Sequence, residues 1–215
     1  MQKISNENLG RLSVEEFRAA RKRRIMLVLD NIRSMHNVGS AFRTADAFLI
    51  EKIVLCGFTA QPPHREIQKS ALGATESVAW EHIPDTVYAV RQLQTGGYKV
   101  FAVEQADGAV MLDRFREYLT QPMNDSPNPA VMLDRFCKYS TTDVGGGSEM
   151  SAAGQDFPPI ALVFGNELDG VQQPVIDICD GAVEIPQWGT KHSLNISVSV
   201  GVVLWELVRG AAPKS

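Results

Sequence analysis

Three short polar stretches in this 215-residue chain carry the side chains best suited to chemistry: Asn37-x-Gly39-x-x-x-Arg43, Gly165-Asn166-Glu167, and the run from Ile185-Pro186 through Ser193-Leu194-Asn195. Together they supply amides, a carboxylate, a hydroxyl and a guanidinium. With a pKa above about 12, an arginine is a poor general base; it acts instead as a fixed cation that hydrogen-bonds to oxygen anions. A glycine such as Gly165 lets a ligand approach the backbone closely. Each motif also has an ordinary explanation. Arg43 can pair with an acid, Glu167 can cap the helix that follows it, and Asn37 can satisfy the backbone of a turn. His36, His64 and His192 have no metal-ligand spacing, and His36 and His192 are expected to line the site or face solvent. Taken singly, no motif specifies a reaction.

The elements that must position these residues read as alternating strands and helices. Ile25–Leu29, Lys52–Phe58, Val78–Ile83, Tyr98–Val103, Ile160–Phe164 and Ala182–Ile185 are strand-like, the first and fifth being continuous apolar runs of the kind buried on both faces of a parallel sheet. Helices are expected over 11–24, with Ser13 and Glu16 as a capping box, after a turn at Asn37–Ser40 in a helix carrying Ala41, Phe42, Ala45 and Phe48, between Pro62 and Gly73, over Thr86–Leu93 and over Gln173–Cys179. The last helix is expected to have Ser193 as N-cap and to gather Leu194, Val198, Gly201, Val202, Trp205 and Val208 on one apolar face. This order predicts an α/β protein with a mostly parallel sheet flanked by helices. In such sheets ligands bind beyond the carboxyl ends of strands, and all three motifs follow strands.

Composition narrows the class. A hydrophobic content of 44% over 215 residues supports one domain with a full core. No apolar run reaches the roughly 20 residues of a membrane span, and the first residues lack a secretory signal's apolar stretch, so a cytoplasmic protein without membrane association is expected. Cys56, Cys137 and Cys179 form no C-x-x-C pair and read as reduced thiols, with no metal site. The chain's net charge of −4 argues against indiscriminate coating of nucleic acid. Residues 1–24 nonetheless carry seven basic and three acidic side chains, and Arg21, Lys22, Arg23 and Arg24 could hold phosphates on a helical arm. A solvated arm packing Leu12, Val14 and Phe17 on the body is an equal reading.

From Gln105 to Pro159 the alternation breaks down. AVMLDRF occurs at Ala109–Phe115 and again at Ala130–Phe136, followed by a polar run containing Gly145-Gly146-Gly147. Two copies do not make a solenoid. The stretch from about 106 to 158 reads as a net-acidic, duplicated and flexible surface insertion, dispensable for ligand binding. The triple glycine follows no strand and opens no helix, so it is not a phosphate loop.

In this order and setting the three motifs resemble the SpoU/TrmH family of SPOUT methyltransferases, over roughly residues 25–110 and 159–209. The resemblance implies an α/β fold with a C-terminal trefoil knot, residues 25–209 forming the methyltransferase domain behind the 1–24 arm, with a short tail at 210–215. It implies a homodimer that binds S-adenosylmethionine and methylates a ribose 2′-hydroxyl in tRNA or rRNA. By position, the backbones of Gly165, Ile185 and Leu194 hold the cofactor, and Asn37, Arg43, Glu167, Ser193 and Asn195 match the polar catalytic positions. Arg43 then stabilises the developing alkoxide, Glu167 orients Arg43, and Ser193 and Asn195 position the nucleotide. His64, Arg65 and Lys69, between Pro62 and Gly73, are expected to contact RNA beyond the target, and Trp188 is a candidate to stack on a base. Many rRNA-modifying relatives carry a small RNA-binding module where this chain has 24 residues, and the spacing of IPQ to SLN looks closer to tRNA-modifying members, which tilts the expectation to tRNA. A dinucleotide enzyme would need G-x-G-x-x-G after the first strand, where only Gly39 stands. A non-catalytic RNA-binding member of the same fold is the competing alternative.

Overall fold

A computed structural model describes Met1 and residues 10–121 and 157–209. Seven strands form one sheet: β1 Arg23–Asp30, β2 Ile50–Cys56, β3 Ala79–Ile83, β4 Lys99–Val103, β5 Val110–Met111, β6 Ile160–Phe164 and β7 Gly181–Glu184. They lie in the order β3-β2-β1-β6-β4-β7-β5, and every pairing is parallel. Parallel neighbours need crossovers, and helices provide them. These are α1 Val14–Ala19, α2 Met35–Ala47, α3 Arg65–Ala71, α4 Ala74–Ser77, α5 Thr86–Thr95, α6 Leu112–Thr120, α7 Gln173–Ile176 and α8 Ile196–Val208.

Period-two alternation divides the core between the two faces. Ile25, Leu27 and Leu29 of β1, with Ile160, Leu162 and Phe164 of β6, pack with the buried sides of α2, α6 and α8. Met26 and Val28, with Ala161 and Val163, face Ala89, Val90 and Leu93 of α5 and Val175 of α7. Burial on both faces is why these strands read as unbroken apolar runs. β1 and β6 are neighbours with Leu29 beside Phe164, so the loops that leave their carboxyl ends emerge together. β1 leads on to β2 on one side of the sheet and β6 to β7 on the other, which makes the β1/β6 boundary the switch point where an open α/β sheet leaves a crevice.

Several expectations are corrected. The first helix has its capping box, Ser13 with Glu16, but ends at Ala19, and Arg23 and Arg24 belong to β1. Asn37 lies in the first turn of α2, which begins at Met35 behind the cap Ser34. Ser193 is not the cap of the last helix; Asn195 is, with Oδ1 accepting from Ser197 N–H at 2.9 Å. The face read from the sequence is for the most part the exposed one. Ile196, Val200, Val203, Leu204 and Leu207 are buried, with Val208, whereas Leu194, Val198, Val202 and Trp205 are exposed. Both faces are apolar, so periodicity alone could not choose between them. The largest difference lies in the supposed insertion. Its first AVMLDRF copy is β5 and the start of α6, with Val110 paired to Val183 and Phe115 fully buried edge-on to Phe101, ring centroids 4.9 Å apart. Residues 106–121 are therefore part of the fold. The second copy, Ala130–Phe136, the triple glycine and Cys137 lie outside the described residues, as does the 210–215 tail.

Candidate active site

The loops after β1 and β6 are joined by one carboxylate. Glu167 Oε2 accepts from Arg33 N–H at 3.0 Å, and Oε1 accepts from Ser34 N–H at 3.1 Å and from Asn37 Nδ2 at 2.9 Å. These groups lie at the start of α2, where unpaired N–H groups and the positive end of the helix dipole favour a negative charge. Partial burial alone would push the Glu167 carboxyl upward. The hydrogen bonds from Arg33, Asn37, its own N–H and Ser34 outweigh that and hold it below the usual glutamate range. Glu167 thus caps α2, and not the helix that follows it in sequence. It places Asn37, whose amide is buried, and among the described residues it makes no bond to Arg43.

Arg43 stands six residues beyond Asn37 on α2, on the exposed side shared with His36 and Ala47. Among the described residues its guanidinium has no hydrogen-bond or ion-pair partner. The pairing with an acid that the sequence also allowed is absent there, and the cation is available to an external anion. The glycine in Asn37-x-Gly39 serves packing: a Cβ there would run into Ser70 and the α3 backbone at Ile67, so α2 and α3 approach closely only through glycine.

Gly165 likewise has a neighbour where a side chain would be. A Cβ would collide with the backbone of Gly170 and Val171, which doubles back in the Asn166–Gly170 bridge. Asn166 holds this turn through Leu168 and Asp169 N–H groups at 2.8 and 2.9 Å, and Glu104, after β4, receives Val171 N–H at 2.9 Å. At the third motif, the stretch 185–194 makes no backbone-to-backbone hydrogen bonds among the described residues; its one tie is Gln105 Nε2 donating to His192 O at 2.8 Å. The polar backbone groups of Ile185 and Leu194 are therefore free to bind a ligand, as is Ser193, which is exposed. Asn195 spends its Oδ1 on the cap, accepting also from Ser197 Oγ at 2.6 Å, and keeps its Nδ2 donors.

The cationic positions sort unevenly. Lys22 Nζ turns back to the Phe17 and Ala20 carbonyls at the end of α1. Arg23 is buried, where desolvation and then Arg116 push its pKa down. Arg24 lies over the Tyr98 ring at 5.4 Å. Of the four, Arg21 alone is exposed with no such engagement. His64 Nδ1 accepts from Glu66 N–H and caps α3, leaving Arg65 exposed; Lys69 pairs with Glu66 at 2.7 Å, and Glu66 also meets His36 Nε2 of α2 at 3.2 Å. The structure connects this group to the site through α2, since His36 adjoins Asn37. Sequence reading missed the supports: Glu104, Gln105, Asn31 and Thr59 act through contacts distant in the chain. No group of three or more potential metal ligands occurs among the described residues, and none of their helices is long and apolar enough to cross a membrane.

An open parallel sheet with polar residues gathered at the carboxyl ends of its central strands has the architecture in which α/β proteins bind ligands. Residues 24–205 match the model of the SpoU rRNA Methylase family, and the chain belongs to that family. It is 27% identical over 204 residues to the 23S rRNA (guanosine-2′-O-)-methyltransferase RlmB of Vibrio parahaemolyticus, covering 95% of this chain and 65% of that relative. Against the protein of that name from Ralstonia nicotianae it is 29% identical over 186 residues, 86% of this chain and 58% of the relative. The chain thus spans less than two thirds of the length of these relatives. Its fold is that of the A. aeolicus TrmH/SpoU tRNA modifying enzyme (TM-score 0.64, 22% identity, 91% of this chain and 81% of that one). It is also that of the AdoMet-bound rRNA methyltransferase from Sinorhizobium meliloti (TM-score 0.65, 23% identity, 92% and 61%).

Proposed function

We propose that this protein is an S-adenosylmethionine-dependent RNA methyltransferase acting on a ribose 2′-hydroxyl. The observation that carries the reading is the Glu167 clamp on Asn37 and the start of α2, which joins the ends of β1 and β6 while Arg43 stays available farther along the same helix. Family membership, the names of the relatives and the AdoMet-bound neighbour support it. The unpaired backbone groups of Ile185 and Leu194, together with Gly165, fit the cofactor, reading an adenine edge by N–H and C=O groups while Leu194 packs on the ring. When bound, it supplies an electrophilic methyl group on a sulfonium.

The protein's part is positioning and charge. Holding the reactants in line can contribute about 7–11 kcal/mol. Arg43 stabilises the alkoxide that develops on the ribose oxygen and grips phosphate. Glu167 fixes Asn37 and the α2 terminus, and so acts on Arg43 by holding its helix. Ser193 and the Asn195 Nδ2 group position the nucleotide. Arg21, His64, Arg65 and Lys69 contact RNA beyond the target, and Trp188, 92% exposed, stacks on a base. The exposed apolar row Val198, Val202 and Trp205 on α8 is the face of a homodimer, and the family implies the knot.

The tilt towards tRNA finds no support in the curated relatives cited above, which are named for 23S rRNA, while one structural neighbour is a tRNA modifying enzyme. The test is tritiated methyl transfer from S-adenosylmethionine to unmodified tRNA and, separately, to rRNA, with digestion to nucleosides. A labelled 2′-O-methyl nucleoside is expected from one of them. Binding of S-adenosylhomocysteine without transfer to either RNA would replace this reading by a non-catalytic RNA-binding one.

A further inference from the structure

The loop after β1 is held more tightly than joining a strand to a helix requires. Asn31 is left-handed, with φ 56, and faces Gly57, also left-handed with φ 61, where a Cβ would run into the Asn31 side chain. Such backbone is sparsely populated by residues other than glycine and asparagine. Asn31 Nδ2 donates to Asp30 at 2.8 Å, while its Oδ1 accepts from Phe58 N–H at 3.2 Å. The buried Thr59 hydroxyl donates to Leu29 O and accepts from Ile32 N–H, both at 2.9 Å. On the far side the Glu167 carboxylate takes Arg33 and Ser34 N–H, and His82 Nε2 supports Gly57 O at 2.9 Å from β3. Unusual backbone that surroundings over-determine is a mark of functional loops.

This frame holds two side chains outward that the chemistry described so far does not use. Phe58 is 58% exposed. Arg33 is exposed, and its guanidinium has no hydrogen-bond or ion-pair partner among the described residues. Phe58 lies on the loop after β2 and is tied by its N–H to Asn31, and Arg33 stands two residues beyond Asn31 on the loop that the Glu167 clamp closes. An exposed aromatic face and an available guanidinium on two loops joined through Asn31 can recognise a nucleobase and a phosphate of one strand, because every base has a π-face to stack and the strand carries regular negative charge.

Resting on the RNA methyltransferase reading, we propose that Phe58 and Arg33 form a docking station for a nucleotide flanking the one to be methylated. Phe58 stacks on its unpaired base and Arg33 binds a phosphate of the same strand. Both are positioning residues, acting on RNA and not on the cofactor or the reacting oxygen.

The test compares wild type with Phe58→Leu, which keeps apolar bulk without the π-face, with Phe58→Trp, and with Arg33→Ala. Binding is read by anisotropy of a fluorescein-labelled single-stranded oligouridine. Methyl transfer is read on unmodified tRNA and rRNA, and S-adenosylhomocysteine affinity by calorimetry. For Phe58→Leu we expect oligouridine binding weakened at least about five-fold and KM for RNA raised to match, with kcat and cofactor affinity within about two-fold, and recovery in Phe58→Trp. Arg33→Ala should lower the slope of log affinity against log salt by about one phosphate contact. Unchanged oligouridine binding and RNA KM in Phe58→Leu, with an unchanged salt slope in Arg33→Ala, would overturn the station while leaving the methyltransferase reading standing. Equal loss of cofactor affinity would overturn it too, by making the effect structural. Wild type that neither binds RNA nor transfers methyl would remove the enzymatic reading itself and the station with it.

Discussion

Arg43 and Glu167 divide the work at the residue scale, and their surroundings say how. Arg43 is exposed and engaged by nothing described, so its replacement disturbs little of the fold. Arg43→Ala is expected to lower kcat by about a hundredfold or more, in line with removal of a donor aimed at developing charge, while S-adenosylhomocysteine affinity stays within about two-fold. Single-turnover methyl transfer and calorimetry check the two halves, and full activity would take Arg43 out of the mechanism. Glu167 is a different kind of residue, since its oxygens hold two backbone N–H groups and the Asn37 amide. Glu167→Gln keeps the shape, loses the charge and brings an NH2 group against donors. It is expected to lower stability by about 1 kcal/mol, a modest figure because the group is largely open to solvent. The sign with pH follows from the lowered carboxyl. Its contribution is complete above the ordinary glutamate range, near pH 4.3, and is lost as pH falls through the depressed folded value. Thermal melts of the two proteins should therefore differ at neutral pH and converge in acid.

At the scale of elements, the duplicated word is the instructive case. In its first copy Leu112 and Phe115 are buried, and Phe115 packs against Phe101 and Tyr118. Phe115→Ala is expected to cost about 3–5 kcal/mol, readable by chemical denaturation. A negligible cost would mean that α6 does not belong to the core. Removing Gly108 to Phe157 would by the same reasoning delete β5 and α6 and expose Val183 and Phe101, so it tests folding and not ligand binding. The sequence showed an irregular acidic stretch because β5 has two residues and pairs only through β7, which arrives some 70 positions later. Short edge strands carry almost no local signal. Of the longer elements, β6 is Ile160–Phe164 and α5 starts at Thr86 as read, whereas α1 has its capping box but is shorter than the 11–24 expected, ending at Ala19.

For the whole molecule, α8 separates what a single chain buries from what it offers. Trp205 is 58% exposed, beside Val198 and Val202, and this apolar row on a helix that is apolar all round is the face proposed above for a homodimer. Val202→Asp is expected to shift a wild-type dimer to monomer in analytical ultracentrifugation, with secondary structure retained by circular dichroism. A wild type that sediments as a monomer would remove the dimer from the proposal.

The sequence by itself determined the alternating architecture, the position of the three motifs after strands, and the resemblance that family membership bears out, because these rest on local periodicity, capping and short spacings. Only the tertiary structure decided which face of α8 is inside, that Ser193 yields the cap to Asn195, that Arg23 is buried in β1, and that Glu167 grips the start of α2 some 130 residues away. Each of these depends on which strands become neighbours. The parallel pairing of β1 with β6 brings distant loops into hydrogen-bonding range, and that register is set by how the whole core packs and not by the residues on either loop.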